Sequence, residues 1–121
     1  MVCRGIRGAT SVEDNDEGAI VARTRDLLEQ IAAANHLRVD DVASVIFTVT
    51  PDLDAAYPAR AAREMGWRST PLLCMQDIAV ADALPRCIRV LVLWNTVRSP
   101  EQIRHVYLGR ARDLRPDLAE E

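Results

Sequence analysis

Lysine is missing from this chain: all 15 of its basic residues are arginine, set against 18 acidic residues in 121 positions, for a formal charge of −3. An acidic balance with the two signs interspersed excludes the clustered positive face that counterion release demands of a nucleic-acid binder. Arginine without lysine, alongside 17 alanines, is the composition that a GC-rich genome produces. That explains how many arginines there are but not where they sit. Cysteine is scarce as well. Cys3, Cys74 and Cys87 form an odd set with no C-x-x-C spacing and no nearby histidine, so neither a disulfide framework nor a zinc site is indicated, and buried reduced thiols are expected. No apolar run approaches the roughly 18 residues of a bilayer span. Met1 to Arg7 is not the basic and apolar start of a signal peptide, so the cytoplasm is the expected compartment. The pattern G-x-G-x-x-G is absent and no Gly-Lys-Ser follows Gly5 or Gly8, which leaves a nucleotide cofactor unsupported.

What is present is enough for a self-sufficient core. Apolar residues make up 49% of the chain, and a domain of this size buries roughly two-thirds of its unfolded surface. Residues 1–121, without repeat or linker, are expected to form one domain. Val2 to Ala9 reads as a short first strand, and Asn15 or Asp16 can cap a helix that runs to Asn35, with Glu17 in its first turn. Ile20, Arg23, Thr24, Leu27, Leu28, Ile31 and Ala34 recur along it at helical spacing. Val42 to Thr50 is rich in β-branched residues and stops at Pro51, as a buried strand would. A short helix over Ala59 to Met65 has Pro58 at its start and Gly66 at its stop. Leu72 to Gln76 and Cys87 to Trp94 read as further strands, and Ser99, Pro100 and Glu101 make a helical start before a last strand around His105 to Leu108. The expected class is α+β: a small mixed sheet with one long helix and short helices on one face. Cys87 to Trp94 is apolar on both of its faces apart from Arg89, so the other face also needs a cover, for which a neighbouring subunit is the natural source.

Several residues stand out against this pattern. A charged arginine in a buried strand is costly unless paired, and Arg89 in Cys-Ile-Arg-Val-Leu-Val-Leu-Trp is such a residue. Either it meets a carboxylate of the protein or it awaits an anionic ligand. Alternation gives Arg89 one face with Cys87 and Leu91, and Arg7 one face with Cys3, Gly5 and Ala9. Asp77 ends the third strand, either as a turn former or as a functional side chain presented at a strand end. Arg60 and Arg63 lie three apart on the short helix, and Glu64, four beyond Arg60, offers it a surface pair. His105 and Tyr107 share a face by alternation. With no serine or acidic partner at a triad's spacing, His105 reads as a hydrogen-bonded structural residue rather than a base.

Taken together, six segments resemble the AroH-class chorismate mutases over nearly the whole chain. They are Arg4-Gly5-Ile6-Arg7-Gly8-Ala9-Thr10, Thr50-Pro51-Asp52-Leu53, Cys74-Met75-Gln76, Cys87-Ile88-Arg89-Val90, Arg104-His105-Val106-Tyr107-Leu108 and Leu114-Arg115-Pro116-Asp117-Leu118. Their order is the family's and their spacing nearly so. The resemblance implies a homotrimer whose sheets pack into a pseudo-α/β-barrel, with active sites in clefts between subunits. It also implies the Claisen rearrangement of chorismate to prephenate on the route to phenylalanine and tyrosine, with no metal, cofactor or covalent intermediate. By the same resemblance Arg89 is the donor to the ether oxygen, Arg7 binds the substrate and Tyr107 hydrogen-bonds a substrate carboxylate. Leu73, Cys74, Met75, Gln76 and Asp77 match the binding strand, in which Cys74 contacts the substrate hydroxyl. Arg63 and Arg115 match positions that close the cleft, the latter from a mobile C-terminal tail covering about 112–121.

This chain departs from the family pattern at three of these positions. Asp77 stands where glutamate is usual, one methylene shorter, so its carboxylate falls about 1.5 Å short of the same point unless the strand shifts. Tyr57 stands for phenylalanine at the cleft wall, and Arg60 for lysine. Two rival readings follow. The related trimeric imine deaminases share the fold and an intersubunit arginine but not these six motifs. A small-anion binding module would have kept the pocket and lost catalysis through the aspartate at position 77.

Overall fold

A computed structural model of the chain describes residues 1–114. Among these residues, five strands form one mixed sheet: β1 (Val2–Ser11), β2 (Val42–Val49), β3 (Leu72–Gln76), β4 (Cys87–Thr96) and β5 (Val106–Tyr107). Their order across the sheet is β3-β2-β4-β1-β5. The long strand β4 runs antiparallel to both β1 and β2, while β3 is parallel to β2 and β5 parallel to β1. Two helices, α1 (Glu17–Asn35) and α2 (Ala59–Glu64), pack on one face and against each other. Every expected element is present, with β1 and β4 each two residues longer than their apolar patterns predict.

Helix α1 begins where the sequence supplies an acceptor. The Asp16 carboxylate takes the Ala19 N–H at 2.9 Å, satisfying one of the donors a helix start leaves open. Ile20, Thr24, Leu27, Leu28 and Ile31 form its buried stripe. Arg23 and Ala34, which share the spacing, lie just outside that arc and are exposed, whereas Asn35 is fully buried. Asn35 has work to do there: its side chain donates to the Ile31 and Arg104 carbonyls and accepts the Arg104 N–H, each at 2.9 Å. That bracket ties the end of α1 to the segment leading into β5. Helix α2 stops at Gly66, whose φ of 94° is a conformation that favours glycine.

The strands sort their side chains with the pleat's period of two. Ile6, Val45, Phe47, Val90, Val92 and Trp94 face the helices and, with Leu27, Leu28, Ile31, Ala59 and Ala62, make the main core. The opposite phase is left uncovered by α1 and α2, and it is the face for which the sequence calls for a second cover. Among the described residues, the turn at Gly109–Asp113 covers part of that face, seating Ala111 against Ala9, Cys87 and Tyr107, with Leu84 packed against the same cluster. Elsewhere the face is open, with Leu73 54% and Met75 45% exposed. The thiols meet the expectation of burial in part: Cys87 is buried, Cys74 half-buried and Cys3 exposed.

Gly8 sets the distance between β1 and α1. A Cβ there would lie 2.7 Å from Ile31 Cδ1 and 3.0 Å from Val90 Cγ1, both in the main core. Gly8→Ala should therefore destabilise the protein by about 1–3 kcal/mol through overpacking, measured by urea unfolding. An unchanged midpoint would show that the helix rides freely on the sheet.

Candidate active site

Pairing across the open face places the unusual residues in a row. Tyr107 of β5 lies beside Ala9 of β1, Ala9 beside Arg89 of β4, Arg89 beside Thr48 of β2, and Thr48 beside Met75 of β3. Directly paired residues point the same way, so these side chains rise from one face in line. A second row runs from Arg7 through Leu91 and Ile46 to Leu73. Between the rows lies a hollow of about 370 Å³ lined by Arg7, Gly8, Ile46, Thr48, Met75, Arg89, Leu91 and Tyr107.

Within the single chain the Arg89 side chain is 51% exposed on the open face. The carboxylate it was expected to meet or to lack is Asp77. Arg89 donates from Nε to Oδ2 at 2.8 Å and from Nη2 to Oδ1 at 2.6 Å, a forked pair. Asp77 is not merely a turn former. Its backbone N–H continues the β2–β3 pairing onto the Val49 carbonyl at 2.8 Å, which fixes where the side chain starts. The side chain is only 16% exposed and also accepts from Thr48 Oγ1 at 3.2 Å and the Ile78 N–H at 3.2 Å. Arg89 holds the Asp77 carboxyl below its ordinary range, and Asp77 raises the Arg89 value in return. Both groups are charged at neutral pH. Cys87, one pleat away on β4, is pushed up to about 11 by burial and is a neutral thiol.

A second hollow, of about 530 Å³, opens where α2 meets the β3 edge. Its lining includes Glu17, Tyr57, Arg60, Arg63, Cys74, Met75 and Gln76. Arg60 is held by Glu64 at 2.8 Å and Glu17 at 3.1 Å, the surface pair its spacing predicts with one acid more. The Arg63 side chain makes no ion pair or hydrogen bond among the described residues, and the same is true of the Arg7 side chain. Burial pushes the Cys74 thiol up, so it too is neutral. The structure therefore brings Arg7, Asp77, Arg89 and Tyr107 together on one side of the sheet and Tyr57, Arg63, Cys74 and Gln76 at the other, with Met75 lining both hollows. Leu73 lies outside both, on the open face. Arg115 falls outside the described residues.

His105 is half-buried beside β1, where its Nδ1 accepts the Arg7 N–H at 2.9 Å. It holds the backbone of Arg7 and is not set up as a base. Sequence reading missed Thr48, because it sits in a run read as uniformly buried; counting the pleat from Phe47 would have put it on the same side as Arg89. Among the described residues, no group of three or more His, Cys, Asp or Glu side chains comes together as metal ligands would, and no helix is long and apolar enough to cross a membrane.

Residues 3–118 match the family model for chorismate mutase type I. The chain belongs to the AroH-class chorismate mutases. It is 47% identical over 120 residues to the chorismate mutase AroH of Bacillus subtilis (strain 168), covering 98% of this chain and 94% of that protein. The chorismate mutase AroH of Thermus thermophilus is 50% identical over 116 residues, 95% of each chain. A solved chorismate mutase structure from Clostridium thermocellum superposes with a TM-score of 0.90 at 53% identity, covering 91% of this chain and 98% of that one. The α+β sheet of this chain is therefore the chorismate mutase fold, and a chorismate mutase is an isomerase. Neither the imine deaminases nor a bare anion-binding module is what these matches describe.

The Asp77–Arg89 pair carries a signed pH dependence. Because Asp77 titrates below its ordinary 3.8 in the fold, its stabilisation is complete above that value and is lost as pH falls through the lowered one. With Arg89 half exposed to screening water, the contribution is about 1 kcal/mol or less. Urea midpoints of the parental and Asp77→Asn proteins should differ at neutral pH and converge as the pH falls below 3.8. A gap that persists unchanged in acid would mean that the pair contributes nothing through its charge.

Proposed function

We propose that the chain isomerises chorismate to prephenate, the step towards phenylalanine and tyrosine, as a homotrimer in the cytoplasm with its active sites between neighbouring subunits. The Claisen rearrangement is unimolecular: the ether C–O bond breaks ahead of C–C bond formation, and both changes occur within the substrate. Negative charge grows on the ether oxygen and positive charge on the ring. A donor fixed at that oxygen lowers the barrier selectively, because the charge there is larger in the transition state than in the ground state.

The observation that carries this reading is Arg89, held by a forked bond to Asp77 on the open face, with N–H groups left over on Nη1 and Nη2. Those donors serve the ether oxygen. The Asp77 carboxylate accepts the ring hydroxyl and opposes the ring's positive charge. Chorismate also carries two carboxylates, and Arg7 and Arg63 are cations without an ion-pair partner among the described residues. Arg7 and Tyr107 take one carboxylate, while Arg63, with Tyr57 at the wall, closes the other side; clamping both ends favours the compact conformer that reacts. Leu73, Cys74, Met75 and Gln76 supply the strand between, and Arg115 is assigned to cleft closure by the resemblance alone.

Arg63 and Arg89 line separate hollows, which argues for joining one subunit's open face to a neighbour's α2 side. The exposed Leu73 and Met75 on that face support the same assembly, since a subunit laid against them would remove apolar area from water. Three unpaired cysteines suit a reducing compartment.

Arg89→Ala should cost at least about 3–4 kcal/mol of transition-state stabilisation, the scale for one preorganised donor. Arg89→Lys should restore little, because an ammonium lacks the fork. Both are read from the disappearance of chorismate's ultraviolet absorbance. A lysine variant turning over at nearly the parental rate would overturn the role given to Arg89.

A further inference from the structure

The Asp77–Arg89 pair has two tasks at once. Arg89 is the main partner of Asp77, and its spare N–H groups reach the ether oxygen only while the fork is held in one direction. The carboxylate that aims the guanidinium must therefore itself be held in place. Among the described residues, two other groups touch it: the N–H of Ile78, which belongs to the loop that Asp77 itself begins, and the hydroxyl of Thr48. Only Thr48 comes from a strand paired on both sides, β2 between β3 and β4.

The geometry points to Thr48 as a positioning residue that holds the Asp77 carboxylate and, through it, the direction of the Arg89 fork. The inference rests on Arg89 and Asp77 being the reacting centre, and goes beyond it. Thr48 is half-buried and stands directly beside Arg89 in the β2–β4 register, lining the same hollow. Its hydroxyl and Arg89 Nε share one acceptor, Asp77 Oδ2, at 3.2 and 2.8 Å. At 3.2 Å the hydroxyl bond is long, as contacts in a ligand-free site often are before substrate tightens them. The short aspartate makes the anchor more important. With one methylene fewer than glutamate its reach is fixed by the backbone at Gln76–Asp77, and its remaining freedom is rotation, which a single donor on a central strand removes.

The test is a double-mutant cycle with purified protein and chorismate. Thr48→Val keeps the shape and removes the hydroxyl; it should lower kcat about tenfold with KM changed less, as expected for losing one hydrogen bond to a charged group. Thr48→Ser, which keeps the hydroxyl, should bring kcat back to within about threefold of parental. In an Asp77→Ala background, Thr48→Val should add almost nothing, because its partner is gone. Should the valine variant not fold, Thr48→Ala gives the same readouts. Equal losses from Thr48→Val in both backgrounds, or a parental kcat in Thr48→Val beside a slow Asp77→Ala, would overturn the positioning role alone. A parental rate in Asp77→Ala itself would overturn the assignment of the reacting centre, and the role of Thr48 with it.

Discussion

Among the described residues, α1 and α2 both cover the same face of the sheet, and the period of two in each strand turns that asymmetry into a division of labour. One phase of β1, β2 and β4 supplies Ile6, Val45, Phe47, Val90, Val92 and Trp94 to a dry core against α1 and α2. The other phase is released from packing and can carry Arg7, Thr48 and Arg89. A charged side chain costs little there while water reaches it, and its neighbours in register come at the spacing of the strands. The site is therefore a consequence of which face was left open.

Charge pairing then separates arginines that hold the fold together from those free to bind. Arg60 is taken by Glu17 and Glu64 at the seam between α1 and α2. Arg89 is tethered to Asp77 but keeps donors in hand. Arg7 and Arg63 have no ion-pair partner among the described residues, and their positions are secured through the backbone or the helix instead. His105 holds the Arg7 amide and Asn35 brackets Arg104, so the segment that brings Tyr107 into line is fixed at two adjacent residues. For a dianionic substrate and a barrier lowered by placed charge alone, guanidinium is the suited cation, since its fork fixes direction as well as charge.

Much of this was legible in the residues. β-Branched runs ending at Pro51, the Asp16 cap, Gly66 after a short helix and Ser99-Pro100 before a turn each state a local preference that the fold keeps. The six motifs led to the family. What could not be read was non-local. Nothing in Leu72 to Gln76 says that it lies parallel to β2 at the sheet edge, and so nothing said that Asp77 ends within a forked bond of Arg89. An apolar strand looks the same whether its second face is covered by its own chain or not, which is why Thr48 was overlooked. Arg23 and Ala34 fit the helical spacing yet fall outside the buried arc, because the width of that arc is set by what α1 packs on.

The central claim is that each active site is shared, with Arg89 from one subunit and Arg63 from the next. Mixing two inactive variants, Arg63→Ala and Arg89→Ala, and letting the subunits exchange tests it directly. In a cyclic assembly with sites between neighbours, about one interface in four would join two intact halves, so chorismate turnover should recover to about a quarter of the parental rate. A mixture that stays as inactive as its two components, despite proven exchange of subunits, would place both arginines in the same subunit's site and contradict the account.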